Sequence, residues 1–370
     1  MSGTNSNPSL QVTVSSKQIL AISLPIALAI MVPQVNFVIN NIFLGALSSE
    51  ALAIGGITGV FYLIFGVMGQ GLNNGLQALI SRRAGENRVD EIGVLFNQGV
   101  IISILLSIIA IAFTYFIAPS IFHSVLHDSQ RANNVIEFLK IRIWGIPFLF
   151  IYQMRNALLV GTNQSKFLII GTATEAAFNI FFDYSLIFGH FGFTAMGLNG
   201  AAYASIISEV MGLFVIYLVI HYQKIGARFE LFKNFEIKWD YIKLIFVQSS
   251  PIMMQYMISI ISWEIFYILI EHRGEQSLAV SNSMRNIFGF FGSFTWAFAA
   301  TSNTMVSNII GQNMQDKVIP LINKIAKWSF GFALCVCIIL NVFAHQFLSI
   351  YGQREDFMQE GIPVLRVVSI

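Results

Sequence analysis

The sequence contains few charged residues. Only 11% of its 370 residues are Asp, Glu, Lys or Arg, whereas a typical soluble domain contains about 25%. So few charges cannot cover the surface of a water-soluble globule of this size, and that class is excluded. A net charge of +2 also argues against a protein that binds nucleic acid through a basic surface. The only two cysteines, Cys335 and Cys337, lie in one apolar run and exclude a disulfide scaffold.

Long apolar stretches take the place of the missing charge. Hydrophobic residues make up 55% of the chain, and the mean hydropathy is +0.69. A helix needs about 20 mostly apolar residues to cross a bilayer. A tenth such stretch begins near residue 361, after nine others at 19–44, 53–80, 94–118, 141–160, 167–189, 197–221, 243–270, 281–309 and 328–350. The sequence therefore predicts an all-α polytopic protein embedded in a lipid bilayer.

The distribution of basic residues predicts the orientation in the membrane. With the N-terminus inside, 14 of the 21 Lys and Arg residues fall in the inner segments. Lys and Arg are enriched in cytoplasmic loops. We therefore expect a multi-pass protein of the inner or plasma membrane with a cytoplasmic N-terminus.

An internal repeat is the most informative pattern in the chain. The shift that aligns Pro25 with Pro251, here called the repeat offset, also aligns the polar loop SRRAGENRVD with SNIIGQNMQD. Six spans fit in one period, and an even number returns the chain to its starting side, so the two copies are parallel. The repeat predicts two pseudo-symmetric six-helix lobes, an N-lobe over 1–228 and a C-lobe over 229–370. We expect the C-lobe to be incomplete, with spans seven to nine and the start of the tenth.

Three passages carry a resemblance to a known family. They read VNFVINNIFLGALSSEALAIGG, MRNALLVGTNQSKF and NIFFDYSLIFGHFGFTAMGLNGAAYAS. Together with the repeat, they resemble the multidrug and toxic compound extrusion (MATE) transporters of the polysaccharide-exporter superfamily. The resemblance implies two lobes around a central cavity that rock between outward-open and inward-open states.

A carboxylate in the fifth predicted span is the leading functional residue. Asp183 lies about sixteen residues into this span, and an ionisable residue inside a membrane is a functional hypothesis by default. Asn179 precedes it by four residues and so shares its helix face. The resemblance implies that Asp183, Asn179 and Asn40 bind the coupling ion, although Asn40 stands where the family usually has Asp. An amide can coordinate Na⁺ but cannot take up a proton. Alternatively, Asp183 accepts a hydrogen bond that ties two helices together.

Other polar residues within the spans are predicted to line the substrate cavity, or else to form hydrogen bonds between helices. They are Gln34, Asn36, Gln70, Asn73, Gln77, Glu209 and Glu264. Glu175 is expected to be hydrated near the inner end of its span. Arg142, Arg155 and Arg285 are expected to extend from helix ends toward water. His123 and His127 lack the Glu of a zinc motif, so we expect no metal site and no cofactor.

The resemblance implies a secondary active exporter of small amphipathic, cationic compounds, in antiport with H⁺ or Na⁺, and we expect it to act as a monomer. The sequence contains neither a P-loop nor a nucleophile elbow, and we expect no enzymatic activity. Two alternatives stay open. A lipid-linked oligosaccharide flippase of the same superfamily would favour an Arg-rich cavity, and a polytopic enzyme acting on lipid would need a catalytic cluster in an interfacial loop.

Overall fold

The protein folds into long helices, and every regular element of the described residues is helical. The structure, a computed structural model, describes residues 9–126, 128–233, 235–271, 274–349 and 355–369. The helices are α1 (Ser16–Leu47), α2 (Ser49–Gly85), α3 (Val89–Phe116), α4 (Ala118–Val125), α5 (Ser129–Arg142), α6 (Ile146–Gly161), α7 (Leu168–Phe188), α8 (Leu198–Tyr222), α9 (Ile225–Arg228), α10 (Trp239–Glu271), α11 (Glu275–Gly311), α12 (Val318–Val342), α13 (Ala344–Ser349) and α14 (Glu355–Val368).

Six of these helices are long and apolar enough to cross a membrane: α1, α2, α3, α8, α10 and α12. The prediction of a multi-pass α-helical membrane protein is confirmed. Three further predicted spans are helical but do not meet the same standard of length and hydropathy. Helix α6 has only 16 residues and follows a 3₁₀ turn. Helices α7 and α11 are long enough, but they contain more polar residues than the six helices above.

The predicted bounds of the last complete span are wrong. The sequence places it at 328–350, whereas α12 begins at Val318 and ends at Val342. Lys324 and Lys327 interrupt the apolar pattern before residue 328. In the structure Lys324 Nζ donates to the backbone oxygen of Val14 at 3.3 Å, so this charge is accommodated near the start of the helix.

The helix bounds repeat with the same offset as the sequence. Helices α2 and α11 begin and end one repeat offset apart, and so do α5 and α14. The turns that follow α2 and α11 each contain an Asn in the left-handed conformation, Asn87 with φ 56° and Asn313 with φ 60°. Asn tolerates this conformation better than most residues do. The two copies therefore share one helical plan, while the lobe boundary at 228/229 stays a prediction.

The two copies meet through a contact that obeys the repeat. A Cβ atom on Gly85 would overlap the backbone oxygen of Asn308, and a Cβ atom on Gly311 would overlap that of Arg82. At the repeat offset Gly85 corresponds to Gly311 and Arg82 corresponds to Asn308, so the two contacts are equivalent. The interface is therefore pseudo-two-fold, like the isologous interface of a symmetric dimer.

Hydrogen bonds at the same interface follow the same symmetry. Gln77 Nε2 donates to the backbone oxygen of Ala300 at 3.1 Å. The equivalent residue in the second copy, Asn303, donates from Nδ2 to the backbone oxygen of Asn74 at 3.0 Å. Nearer the start of α2, Cβ positions on Gly56, Gly59 and Gly66 meet no atom within 4 Å. The repeats are thus in close contact at the end where α2 and α11 finish.

We expect Gly85→Ala and Gly311→Ala each to destabilise the protein by about 1–3 kcal/mol, because backbone atoms opposite them cannot give way. Thermal unfolding of purified protein in detergent measures the effect. The matched controls are Gly66→Ala and Gly292→Ala, which are equivalent positions of the same two helices, where the new methyl group meets open space. Equal effects at both pairs of positions would contradict the close contact.

Candidate functional site

Helices α1 and α7 bring together a cluster of one carboxylate and three amides. Asp183 and Asn179 are 1% and 2% exposed. Asn36 Nδ2 donates to Asn179 Oδ1 at 2.7 Å. With its amide oriented to satisfy its neighbours, Asn40 Nδ2 donates to Asp183 Oδ2 at 2.6 Å and to Asn179 Oδ1 at 3.0 Å. The structure therefore assembles the three residues predicted to bind the ion, and adds Asn36, which had been predicted to line the cavity.

Helical periodicity explains why these four side chains meet. Asn36 and Asn40 are four residues apart on α1, as Asn179 and Asp183 are on α7, so each pair occupies one face of its helix. Both helices present that face to the other. The residue spacing predicts each pair, and the family resemblance implied that Asn40 would join Asn179 and Asp183, whereas the contact of Asn36 with Asn179 was not predicted.

Three polar atoms of this cluster have no partner. Asp183 Oδ1, Asn36 Oδ1 and Asn179 Nδ2 are buried and form no hydrogen bond. A buried polar group left unsatisfied is costly, and such groups in native proteins call for an explanation. Two of the three are oxygens, the ligand type that hard cations prefer. The cluster can therefore take up a proton on Asp183 or coordinate a small cation.

A buried ion pair between Arg142 and Glu209 joins α5 to α8 within the first repeat. Arg142 Nη2 donates to Glu209 Oε1 at 2.6 Å, and Arg142 Nη1 donates to Glu209 Oε2 at 3.1 Å and to the Tyr62 hydroxyl at 2.8 Å. The guanidinium also lies 3.7 Å from the centre of the Tyr62 ring. The prediction that Arg142 extends toward water is wrong, because Glu209 and Tyr62 on two other helices hold it inside. The carboxylate of Glu209, predicted to line the substrate cavity, is occupied by this pair.

Arg155 is also buried, contrary to the prediction. It is 0% exposed, and its guanidinium lies 3.8 Å from the centre of the Tyr152 ring. Its Nε, Nη1 and Nη2 atoms form no hydrogen bond. The prediction failed because the predicted span ends at residue 160, soon after Arg155, and Lys and Arg near helix ends usually reach the membrane surface. In the structure Arg155 lies in the interior of α6.

The polar patch of α2 belongs largely to the contact between the repeats. Gln77 is 2% exposed and donates from Nε2 to Thr304 Oγ1 at 2.6 Å. Its predicted place in an open cavity is wrong, because the close approach of α11 covers it. Asn73 is buried as well and donates to Asn74 Oδ1 at 3.2 Å. Gln70 is exposed and donates to the same oxygen at 3.3 Å.

The remaining predicted residues are scattered. Gln34 lies beside α11, with Oε1 3.4 Å from a Cβ position on Gly289. Glu264 belongs to α10, and its side chain is outside the described part of the structure, as is the whole of His127. Within the described ranges, no group of three or more His, Cys, Asp or Glu residues is placed to hold a metal ion.

The fold and the buried polar clusters define a multi-pass α-helical membrane protein built from two parallel repeats. The MatE family model matches residues 25–185 and 251–370, two segments whose starts are separated by the repeat offset. The chain belongs to the MatE family.

Several curated relatives are named as probable multidrug resistance proteins. The chain is 27% identical over 212 residues to "Probable multidrug resistance protein NorM" of Synechocystis sp., which covers 56% of this chain and 45% of the relative. It is 25% identical over 369 residues to the protein of the same name from Thermotoga maritima, which covers 98% of this chain and 78% of the relative. The chain thus spans less than half the length of the Synechocystis relative.

Solved structures share the fold. A MATE crystal structure in the straight conformation has a TM-score of 0.89 at 19% identity, and the match covers 100% of this chain and 81% of the other. An outward-facing multidrug resistance MATE transporter has a TM-score of 0.87 at 19% identity, with the same coverage.

We expect Glu209→Gln to lower the stability of the protein by about 3–5 kcal/mol, because it leaves the Arg142 charge buried without its counter-ion. Thermal unfolding in detergent measures the loss. Glu50→Gln is the matched control, since Glu50 also pairs with an arginine, Arg131, but the two side chains are 44% and 41% exposed. Comparable losses of stability in Glu209→Gln and Glu50→Gln would show that burial does not increase the cost of removing the acidic partner.

Proposed function

We propose that the protein is a secondary active exporter of small amphipathic organic cations, driven by antiport of H⁺ or Na⁺. One observation carries the proposal: Asp183 is 1% exposed inside a helical bundle, and its Oδ1 atom has no hydrogen-bond partner. A carboxylate held in this state can exchange a cation with the aqueous phases. The multidrug resistance names of the relatives support the export of small molecules.

The helix that faces Asp183 can transmit cation binding to the second repeat. Helix α1 donates three amide hydrogen bonds to α7, from Asn36 and Asn40, and contains Pro25 and Pro33. Proline removes a backbone hydrogen bond and favours a kink. The same helix packs against α11 through Gln34 and Gly289. A cation at Asp183 would pull on Asn36 and Asn40, and the resulting bend of α1 would act on the second repeat.

The placement of the contacts between the two repeats supports a rocking motion. Hydrogen bonds from Gln77 and Asn303 join the repeats near the ends of α2 and α11, while Cβ positions on Gly56, Gly59 and Gly66, nearer the start of α2, meet no atom within 4 Å. We propose that the closed end is cytoplasmic, as is the N-terminus, and that the described state opens outward from the inner or plasma membrane. The exporter acts as a monomer, and no covalent chemistry is involved.

We expect Asp183→Asn to abolish ion-driven efflux while expression and membrane insertion stay near normal. The amide keeps the size and most hydrogen bonds of the carboxylate but loses its charge. Drug accumulation in cells expressing the complete protein measures transport, with pH and Na⁺ varied separately. Asp90→Asn, at an exposed position in α3, is the control. Near-normal efflux in Asp183→Asn would show that this residue is structural.

We expect Asn40→Asp to change the dependence of efflux on pH or Na⁺. The substitution adds a second carboxylate at a position whose side chain lies 2.6 Å from Asp183 Oδ2. Two carboxylates at this distance cannot both ionise without a bound cation, so the site should hold its cation more tightly. The same accumulation assay measures the shift. If the dependence on pH and Na⁺ is unchanged, Asn40 does not belong to the coupling site.

A further inference from the structure

Residues 9–15, here called the first strap, precede α1 and belong to no helix. Two of their side chains are nevertheless buried, Leu10 at 5% exposed and Val12 at 2% exposed. Both belong to the apolar core that also contains Ile80 of α2 and Ile309 of α11. Backbone groups in such a buried segment need hydrogen-bond partners. The partners of the first strap come from both repeats.

Side chains of the second repeat bind the backbone of the first strap. Asn308 Nδ2 donates to the backbone oxygen of Leu10 at 2.9 Å, and the backbone nitrogen of Val12 donates to Asn308 Oδ1 at 3.0 Å. Gln312 Nε2 donates to the backbone oxygen of Val12 at 3.0 Å. The first strap is therefore covalently joined to α1 of the first repeat and bound by α11 of the second.

The first strap also contacts the first repeat. Gln11 Nε2 donates to the backbone oxygen of Gly85 at 2.9 Å, and Asn163 Nδ2 donates to the backbone oxygen of Ser9 at 3.4 Å. Gly85 is one of the two glycines at which α2 and α11 meet backbone to backbone. The first strap thus lies across the seam between the repeats, at the end where they are in close contact.

A second strap, residues 235–238 before α10, has the opposite arrangement. Gln98 of α3 donates from Nε2 to the backbone oxygen of Glu236 at 2.8 Å, and the backbone nitrogen of Lys238 donates to Gln98 Oε1 at 3.1 Å. At the repeat offset, these two backbone groups correspond to the two that Asn308 binds. The second strap is therefore joined to α10 of the second repeat and bound by α3 of the first.

The residue that binds the second strap has an equivalent that binds the first. At the repeat offset Gln98 corresponds to Lys324, whose Nζ atom donates to the backbone oxygen of Val14 at 3.3 Å. Equivalent positions of α3 and α12 therefore each contact the strap of the other repeat, although the side chains differ. Domain-swapped dimers exchange identical elements in the same way. The strap contacts thus belong to the interface between the repeats and not to either repeat alone.

Detachment of either strap is costly because its partners are buried. Gln98 and Asn308 are 1% and 0% exposed, and each binds one backbone oxygen and one backbone nitrogen of a strap. A buried amide that loses its hydrogen-bond partners bears a desolvation cost. Both straps therefore favour the state in which the repeats are closed at this end.

We propose that the two straps are reciprocal latches, and that each must leave the opposite repeat before the closed end can open. When the repeats separate, α1 and α10 move with their own repeats, whereas Asn308 and Gln98 move with the opposite ones. Separation therefore breaks the hydrogen bonds between each strap and its partner. The inference rests on the proposed rocking of the repeats, but not on which ion drives it.

The test measures how often the closed end opens when the protein is held in nanodiscs. Cys335 and Cys337 are first replaced by serine, so that Ser81→Cys supplies a single thiol. Ser81 is 0% exposed, and its Oγ atom donates across the seam to the backbone oxygen of Thr304 at 2.7 Å. A water-soluble maleimide reaches the new thiol only when the repeats separate. The rate of alkylation, followed by mass spectrometry, therefore reports the open fraction.

Two variants weaken one strap each. Gln312→Met and Gln98→Met remove an amide that binds a strap and leave an unbranched side chain of similar length. We expect the alkylation rate to rise about twofold to tenfold for every hydrogen bond lost. Deletion of residues 2–14 should raise it further. In the deleted protein Gln312→Met should have no added effect, because its partner is absent and the two changes are coupled.

Controls separate release of the straps from loss of stability. Gln11→Met removes a hydrogen bond of the first strap that stays within the first repeat, so we expect an unchanged alkylation rate. In a parallel set, Ser107→Cys at a buried position of α3 replaces Ser81→Cys and should react slowly in every folded variant. Thermal unfolding identifies the folded variants. If the deleted protein does not fold, Gln312→Met compared with Gln11→Met still tests the first strap.

The outcomes distinguish this inference from the proposed function. If folded Gln312→Met and Gln98→Met are alkylated no faster than the protein with intact straps, the inference fails whatever the transport assay shows. If the thiol of Ser81→Cys reacts in no folded variant, both the inference and the proposed rocking fail. If the strap variants react faster while Asp183→Asn exports normally, the inference stands and the proposed ion coupling fails.

Discussion

The close contact between α2 and α11 is the constraint on which the rest of the structure depends. At this point two helices meet backbone to backbone, with Gly85 against Asn308 and Gly311 against Arg82. Lipid provides little hydrophobic driving force between helices, so small residues that allow close packing, together with interhelical hydrogen bonds, hold the repeats together. The contact also decides where the two repeats are joined and where they are free to separate.

The two repeats share a helical plan but not their polar chemistry. At the repeat offset, Asn40 and Tyr62 are replaced by Phe266 and Phe288. The second copy therefore lacks the amide that faces Asp183 in the first copy, and it lacks the tyrosine that contacts Arg142. Similar helix bounds require only a similar apolar pattern, whereas a buried polar group survives only where its partners exist.

Burial makes each charge of the first repeat consequential. In water, the Arg142–Glu209 pair and Arg155 would contribute little, because solvent screens them. Inside a bundle, each charge must be paired, neutralised or matched by a bound ion. The same physical rule thus accounts for the ion pair between α5 and α8 and for a cation-binding role of Asp183 on α7, whose Oδ1 atom has no hydrogen-bond partner.

The sequence by itself determined the class of protein, the repeat and the helix faces. These features are local or periodic: hydropathy sets the spans, the constant repeat offset reports the duplication, and spacing by four residues puts Asn179 beside Asp183. The tertiary structure alone decided which faces meet. It placed Asn36 and Asn40 against Asp183, buried Gln77 under α11, and held Arg142 and Arg155 inside the bundle. Partners such as Glu209, 67 residues from Arg142, are chosen by helix packing, and no pattern within a single helix specifies that packing.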